Sequence, residues 1–249
     1  MGDEHDRREL GEVLALLAHD LKNPLAAVLT NLGFVGGVLD DLAGEGETDR
    51  AVSDAREAIV DARLASEALQ RFISNLELLA RDASGRVSLI PAEATPLDLH
   101  GVVDEAIGRQ AESARGRRVR LEARVRTTPC HARAERDQVL RAMENLLADA
   151  VQHAPSGSEV VVDVGLGPGA REASITVLDR GPIVPPELRA QVLELGGQLL
   201  AKGRPELRYG RGLALLAARL AATVAGGRIE VGEAEGRSAL SLVLPRHVE

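Results

Sequence analysis

Leu10, Leu14, Leu17, Leu21, Leu25, Val28, Leu32, Val35 and Leu39 recur at alternating steps of three and four residues. That period is the seam of a helix packed in a bundle or coiled coil, and it predicts one long helix over about residues 10–41. Pro24 lies inside it, where a proline costs about 3 kcal/mol unless something requires it. His19 falls midway between Leu17 and Leu21, roughly 160–200° from the seam at 100° per residue, so it is expected to face water. Asn23, four residues on, shares its face, and Lys22 lies close by.

A turn at Gly44-Glu45-Gly46-Glu47-Thr48 leads into a second helix over about 49–81, with Val52, Ala55, Ile59, Ala62, Leu69, Phe72, Leu76 and Leu79 on one side. A short loop between two long helices gives an antiparallel hairpin. Two helices cannot enclose their own seam, so pairing with a second copy into a four-helix bundle, a homodimer, is expected.

Residues 84–97, with Gly85, Pro91 and Pro96, read as a linker between a helical domain over 1–83 and a second domain over 98–249. The second domain mixes types. Helices are expected at about 98–114, 135–153, 186–195 and 212–225, and strands at 118–125, 160–164, 174–178, 228–231 and 239–244. Helices packed on one face of a mixed sheet make an α+β layer.

Composition narrows the function. Aromatic residues are 1% of the 249, with no Trp, so base-stacking platforms for nucleic acid are absent. A net charge of −8 disfavours DNA, RNA or anionic lipid as the main partner. The single cysteine, Cys130, allows no intramolecular disulfide and fits a reducing compartment. The charged start lacks the apolar core of a signal peptide, and the longest apolar run, Leu213 to Ala225, is interrupted by Arg219 and too short to span a bilayer. A cytoplasmic protein without a membrane segment is expected. Fewer than twenty residues precede His19, so input is expected from a partner, an upstream kinase or sensor protein.

His19-Asp20-Leu21-Lys22-Asn23-Pro24-Leu25-Ala26 resembles the phosphoacceptor box of two-component histidine kinases, with every position filled. The resemblance implies the same dimer, with His19 on its outer surface, and a response-regulator receiver domain as partner. A neutral imidazole nitrogen attacks a phosphoryl group to give a phosphoramidate. Asp20 is placed to accept the other ring proton, in the orienting role a triad carboxylate plays. Asn23, one turn on, is placed to position a water or an incoming carboxylate. Pro24 frees the carbonyl of Asp20 and loosens the helix beside the reactive residue.

The second half resembles the Bergerat-type ATP-binding domain of the same family, shared with gyrase and Hsp90-like ATPases. Asp137 to Pro155 is similar to its asparagine box, Asp179 to Glu187 to its first glycine box, and Gly210 to Leu215 to its second. The resemblance implies ATP and Mg²⁺ as cofactors, held by Asn145, Asp149, Asp179, Gly181, Gly210 and Gly212, with Asp149 at the magnesium position and Asp179 reading the adenine amino group.

Departures cluster in the same boxes. Asp149 replaces an asparagine, adding a negative charge beside a triphosphate, although a carboxylate is itself a hard ligand for Mg²⁺. Gln152 stands where a basic residue is usual, Ile183 and Ala214 replace glycines, and Val192 to Gly197 holds no lid phenylalanine. Impaired ATP binding is expected. Three readings follow: phosphotransfer through His19 without self-phosphorylation, an ATP-dependent autokinase, or a non-catalytic dimer that regulates a kinase or receiver. His153 reads equally as a helix-end residue, Cys130-His131 lacks metal-ligand spacing, and Arg115-Gly116-Arg117-Arg118 reads as a solvated turn.

Overall fold

A computed structural model describes residues 17, 20–38, 48–83, 94–125, 130–167 and 170–247. Two compact units divide between Ser74 and Asn75. In the first, residues 20–38 form helix α1 and Thr48–Ala83 begin helix α2, whose last turns from Asn75 belong to the second unit. Within the first unit Ala55, Ala58, Ala62 and Phe72 are buried, while Leu25, Leu29, Leu32, Phe34, Ile59 and Ile73 stay exposed.

The second unit runs β1 (Thr95–Asp98), α3 (Leu99–Gly116), β2 (Arg120–Val125), β3 (His131–Ala134), α4 (Arg136–His153), β4 (Glu159–Leu166) and β5 (Glu172–Asp179). Two 3₁₀ turns (Pro186–Leu188 and Gln191–Leu193), α5 (Leu195–Ala201), a third 3₁₀ turn (Arg211–Leu213), α6 (Ala214–Val224), β6 (Arg228–Ala234) and β7 (Arg237–Pro245) complete it. Five strands pair in the order β2-β4-β5-β7-β6, with only β2 and β4 parallel. This is the expected mixed sheet in a two-layer α/β sandwich.

Alternation along the strands sorts the sheet into faces. Val160, Val162, Val164, Ile175, Val177, Leu240 and Leu242 join Val102, Ala106, Met143, Leu146 and Leu215 of the helices in one core without an aromatic ring. Val161, Leu178 and Ala239 make a small cluster on the opposite face. Cys130 is fully buried in the main core, where burial pushes its thiol pKa up.

Local chemistry fixes the element ends. The Asp98 side chain accepts from the backbone N–H of His100 at 3.1 Å and caps α3. α4 stops before Pro155, as a proline requires of the residue ahead of it. Its last carbonyls, on Val151 and Gln152, accept from Arg117 at 3.0 and 2.7 Å, so this arginine of the expected solvated turn serves as a helix cap. Glu235 and Gly236 both have positive φ, the two-residue turn that matches strand twist between β6 and β7.

Three expectations need correction. The helix expected over 186–195 is two 3₁₀ turns followed by α5, because Glu194 is extended (φ −120°, ψ 154°) and the chain turns back on itself. A Cβ on Gly197 would sit 1.9 Å from the Gln191 carbonyl oxygen, so only glycine permits that return. The helix expected from Gly212 starts at Ala214, after a 3₁₀ turn that ends on Leu213 in the left-handed region (φ 58°). Strands β1 and β3, which pair antiparallel, were not expected at all.

The outer face of the sheet carries an ion-pair chain. Glu159 accepts from Arg237 at 2.7 Å and from Arg120 at 2.5 Å. The Arg237 hydrogen bond, followed by that of Arg120, lowers its pKa from 4.5 to about 2. A depressed carboxylate pKa stabilises the fold above the unfolded value, and the contribution disappears as pH falls from 4.5 toward 2. Glu159→Gln is therefore expected to lower the urea midpoint at pH 6 and to converge on the wild type as the pH approaches 3. A gap that stays constant over that range would show that the carboxylate charge contributes nothing.

Candidate functional site

The nucleotide residues expected from the sequence lie on three elements. Asp149 sits in the last turns of α4, Asp179 ends β5 opposite Ser238 of β7, and Gly210 precedes the 3₁₀ turn that contains Gly212. The structure brings Asp149, Asp179, Gly181 and Gly210 together, around a residue the sequence did not single out. Arg208, between α5 and that turn, is fully buried.

Every face of the Arg208 guanidinium is committed. Nε donates to Asp149 Oδ2 at 2.6 Å. Nη1 donates to Asp179 Oδ1 at 3.2 Å and to Ser238 Oγ at 2.9 Å, and Nη2 donates to Asp179 Oδ2 at 2.7 Å. The pair with Asp179 is bidentate, the geometry that makes arginine–carboxylate contacts strong. Burial by itself would lower the guanidinium pKa. The two carboxylates overcome that and raise it, so Arg208 is held as a cation.

A second shell fixes this cluster. The Gly181 backbone N–H donates to Asp179 Oδ1 at 2.7 Å, and a Cβ at Gly181 would lie 2.7 Å from that oxygen and 2.9 Å from the His153 carbonyl oxygen. His153 Nε2 donates to the Tyr209 carbonyl at 2.9 Å, which Gln152 also reaches at 3.3 Å. Gln198 is fully buried: its Oε1 accepts from the Gly210 N–H at 2.8 Å and its Nε2 donates to the Val192 carbonyl at 2.6 Å. The two residues that follow Arg208 are thereby pinned to α4 and to α5.

Asn145 is spent elsewhere. Its Oδ1 accepts from Asn75 Nδ2 at 2.7 Å, and its Nδ2 donates to Asn75 Oδ1 at 3.2 Å and to the Arg141 carbonyl at 3.0 Å. His19 lies outside the described residues. Asp20 is a buried helical residue, and Asn23, three residues on, is exposed. Among the described residues no helix is long and apolar enough to cross a membrane, and no group of three or more His, Cys, Asp or Glu side chains is placed to hold a metal.

Arg208 and Gln198 were missed because neither belongs to a motif, and the loop Lys202-Gly203-Arg204-Pro205-Glu206-Leu207-Arg208 has no periodicity. One signal was available. A second carboxylate, Asp149, in a pocket that already contains Asp179 demands a buried cation.

Asp149, Asp179, Gly181 and Gly210 thus converge at the ends of α4 and β5 of an α/β sandwich. Residues 134–247 match the family described as histidine kinase-, DNA gyrase B- and HSP90-like ATPase, and this part of the chain belongs to it. The chain as a whole is similar to the core of two-component histidine kinases. It is 30% identical over 177 residues to the histidine-protein kinase/phosphatase MprB of Mycolicibacterium vanbaalenii, covering 71% of this chain and 34% of that protein. It is 26% identical over 203 residues to the adaptive-response sensory kinase SasA of a Synechococcus species, covering 82% of this chain and 51% of that protein. The chain therefore spans about half the length of SasA and a third of that of MprB. The structure of histidine kinase ThkA in complex with response regulator protein TrrA shares the fold, with a TM-score of 0.57, 17% identity, and coverage of 99% of this chain and 66% of that one.

Proposed function

We propose that this protein is a dimeric phosphorelay component in which His19 exchanges a phosphoryl group with an aspartate of a response-regulator receiver domain, and in which ATP binding is impaired. The observation that carries the second half is Arg208. Both oxygens of Asp179, the carboxylate that the family resemblance assigns to adenine, already accept from its guanidinium. One oxygen of Asp149 accepts from it as well.

The family's domain binds ATP, typically with Mg²⁺, and the residues here do not fit that metal. Asp149 Oδ1 is buried with no hydrogen-bond partner among the described residues, but a cation beside it would face the guanidinium at close range.

The phosphotransfer step needs only the first unit and the receiver. An imidazole nitrogen of His19 attacks the phosphorus of an aspartyl phosphate. The N–P bond forms as the P–O bond breaks, and the receiver carboxylate leaves as an anion. Asp20 accepts the hydrogen bond of the other ring N–H and offsets the positive charge that develops. The reverse step carries the phosphoryl group from His19 to the receiver. ThkA crystallised with a response regulator supports such a partner, and the exposed Leu25, Leu29, Leu32 and Phe34 support a second copy packed on α1.

Incubation with γ-labelled ATP and Mg²⁺ is expected to leave the chain unlabelled, whereas a pre-phosphorylated receiver domain labels it. Label acquired from ATP would overturn the nucleotide half of the proposal and establish the autokinase, the reading favoured by the retained pair of Asp179 and Gly181.

A further inference from the structure

Away from the Arg208 cluster, a surface cleft of about 700 Å³ opens between the C-terminal end of α3, the start of β2 and the turn that leads into β4. Arg115, Arg118, Arg120 and Arg180 line it, against one carboxylate, Glu159. We propose that this cleft is a binding site for a small molecule carrying two or more phosphate groups.

Several arginines elsewhere in the unit are paired with carboxylates, whereas the cleft gathers three that are not. The chain is acidic overall, and Arg109, Arg124, Arg136, Arg208, Arg228 and Arg237 are all engaged by carboxylates. Within the cleft Arg120 is held by Glu159 at 2.5 Å. Arg115, Arg118 and Arg180 make no side-chain hydrogen bond or ion pair among the described residues. Three guanidinium groups that share one concavity repel one another, and a multivalent anion is the ligand that relieves the repulsion.

The backbone holds this arrangement in place. Arg118 is left-handed (φ 57°), a conformation that an L-residue rarely adopts. Two hydrogen bonds keep it there, from its own N–H to the Arg115 carbonyl at 2.9 Å and from the Gly157 N–H to its carbonyl at 2.8 Å. Arg117, between them, is anchored to the end of α4, so the neighbouring arginines are carried by a rigid corner.

Guanidinium forks match phosphate oxygens in pairs, which favours phosphate over a simple carboxylate. A volume of about 700 Å³ falls within the small-molecule range. Ile107 and Leu121 supply an apolar wall, and no aromatic side chain lines the cleft to stack a base.

The test is calorimetric titration of the full chain with inorganic triphosphate at low salt, with orthophosphate and Mg-ATP as parallel arms. Triphosphate is expected to bind at least about 10-fold more tightly than orthophosphate, and to weaken by at least about 10-fold in Arg115→Ala/Arg180→Ala with the thermal midpoint unchanged. Arg228→Ala, on a distant ion pair, is expected to leave the affinity as it was. No saturable heat with triphosphate, or an affinity indifferent to the double substitution, overturns the proposal. So does saturable binding of an acidic receiver domain that Arg115→Ala/Arg180→Ala abolishes while triphosphate gives no saturable heat, which would make the cleft a protein-docking surface.

Discussion

Arg208→Ala is expected to destabilise the second unit by about 3–5 kcal/mol, read as a fall in the urea midpoint at unchanged slope. The loss comes less from the hydrogen bonds removed than from what they leave behind. Asp149 and Asp179, both essentially inaccessible to water, would face each other without a cation. Because the ions are buried, added salt is not expected to rescue the variant, unlike an exposed pair. Arg208→Met combined with Asp149→Asn removes one stranded charge together with the guanidinium and keeps the volume, so it is expected to recover part of the loss. That same double variant frees Asp179 and restores a neutral amide at position 149. Mg-ATP affinity gained there, and kept when Arg115→Ala/Arg180→Ala is added, would show that Arg208 is what bars the nucleotide from this site. A single Arg208→Ala variant within about 1 kcal/mol of wild type would show that the three side chains are not coupled as described.

His19→Ala is expected to abolish all exchange of label with a receiver domain, because the substitution removes the atom to which phosphorus bonds. The label on the parent chain is expected to be lost in acid and kept in base, the signature of a phosphoramidate rather than a phosphate ester. Asp20→Asn keeps the nucleophile but weakens the hydrogen bond to its other ring nitrogen, and a slowing on the order of 10²-fold is expected. Unlike an orienting role, a purely structural role for Asp20 would lower the stability and leave the transfer rate of the folded protein unchanged. Label that persists in His19→Ala would place the acceptor elsewhere and end the phosphotransfer proposal.

Much of the second unit was legible because its signals are local. Runs such as Val160-Val161-Val162 and Ser174-Ile175-Thr176-Val177-Leu178 read as strands from their β-branched content, and the structure pairs them antiparallel through Val162 and Val177. What escaped is non-local or disguised. β1 contains Pro96 and looks like linker, yet its pairing with β3 shows an edge strand where the missing N–H is tolerated. Leu188, Val192 and Leu193 imitate a helical spacing that the return of Gly197 over Gln191 breaks. Of the candidate site, Asp149 and Asp179 were visible as residues but not as partners. Their union depends on an arginine from a loop whose position no periodicity encodes. The altered position 149 and the buried Arg208 are one change seen from two sides, since neither is tolerable in the interior without the other.

The sheet order leaves β2 and β6 as its two margins. Arg120, Glu122 and Arg124 stud the first, and Arg228, Glu230 and Glu233 the second. Such margins refuse an incoming strand, because a neighbour laid alongside would have to desolvate a row of charges. Growth of this protein into ribbons or fibrils through its sheet is therefore blocked at both ends. The dimer proposed above uses the leucine-bearing helices instead, and a closed contact of that kind ends after a fixed number of copies rather than propagating.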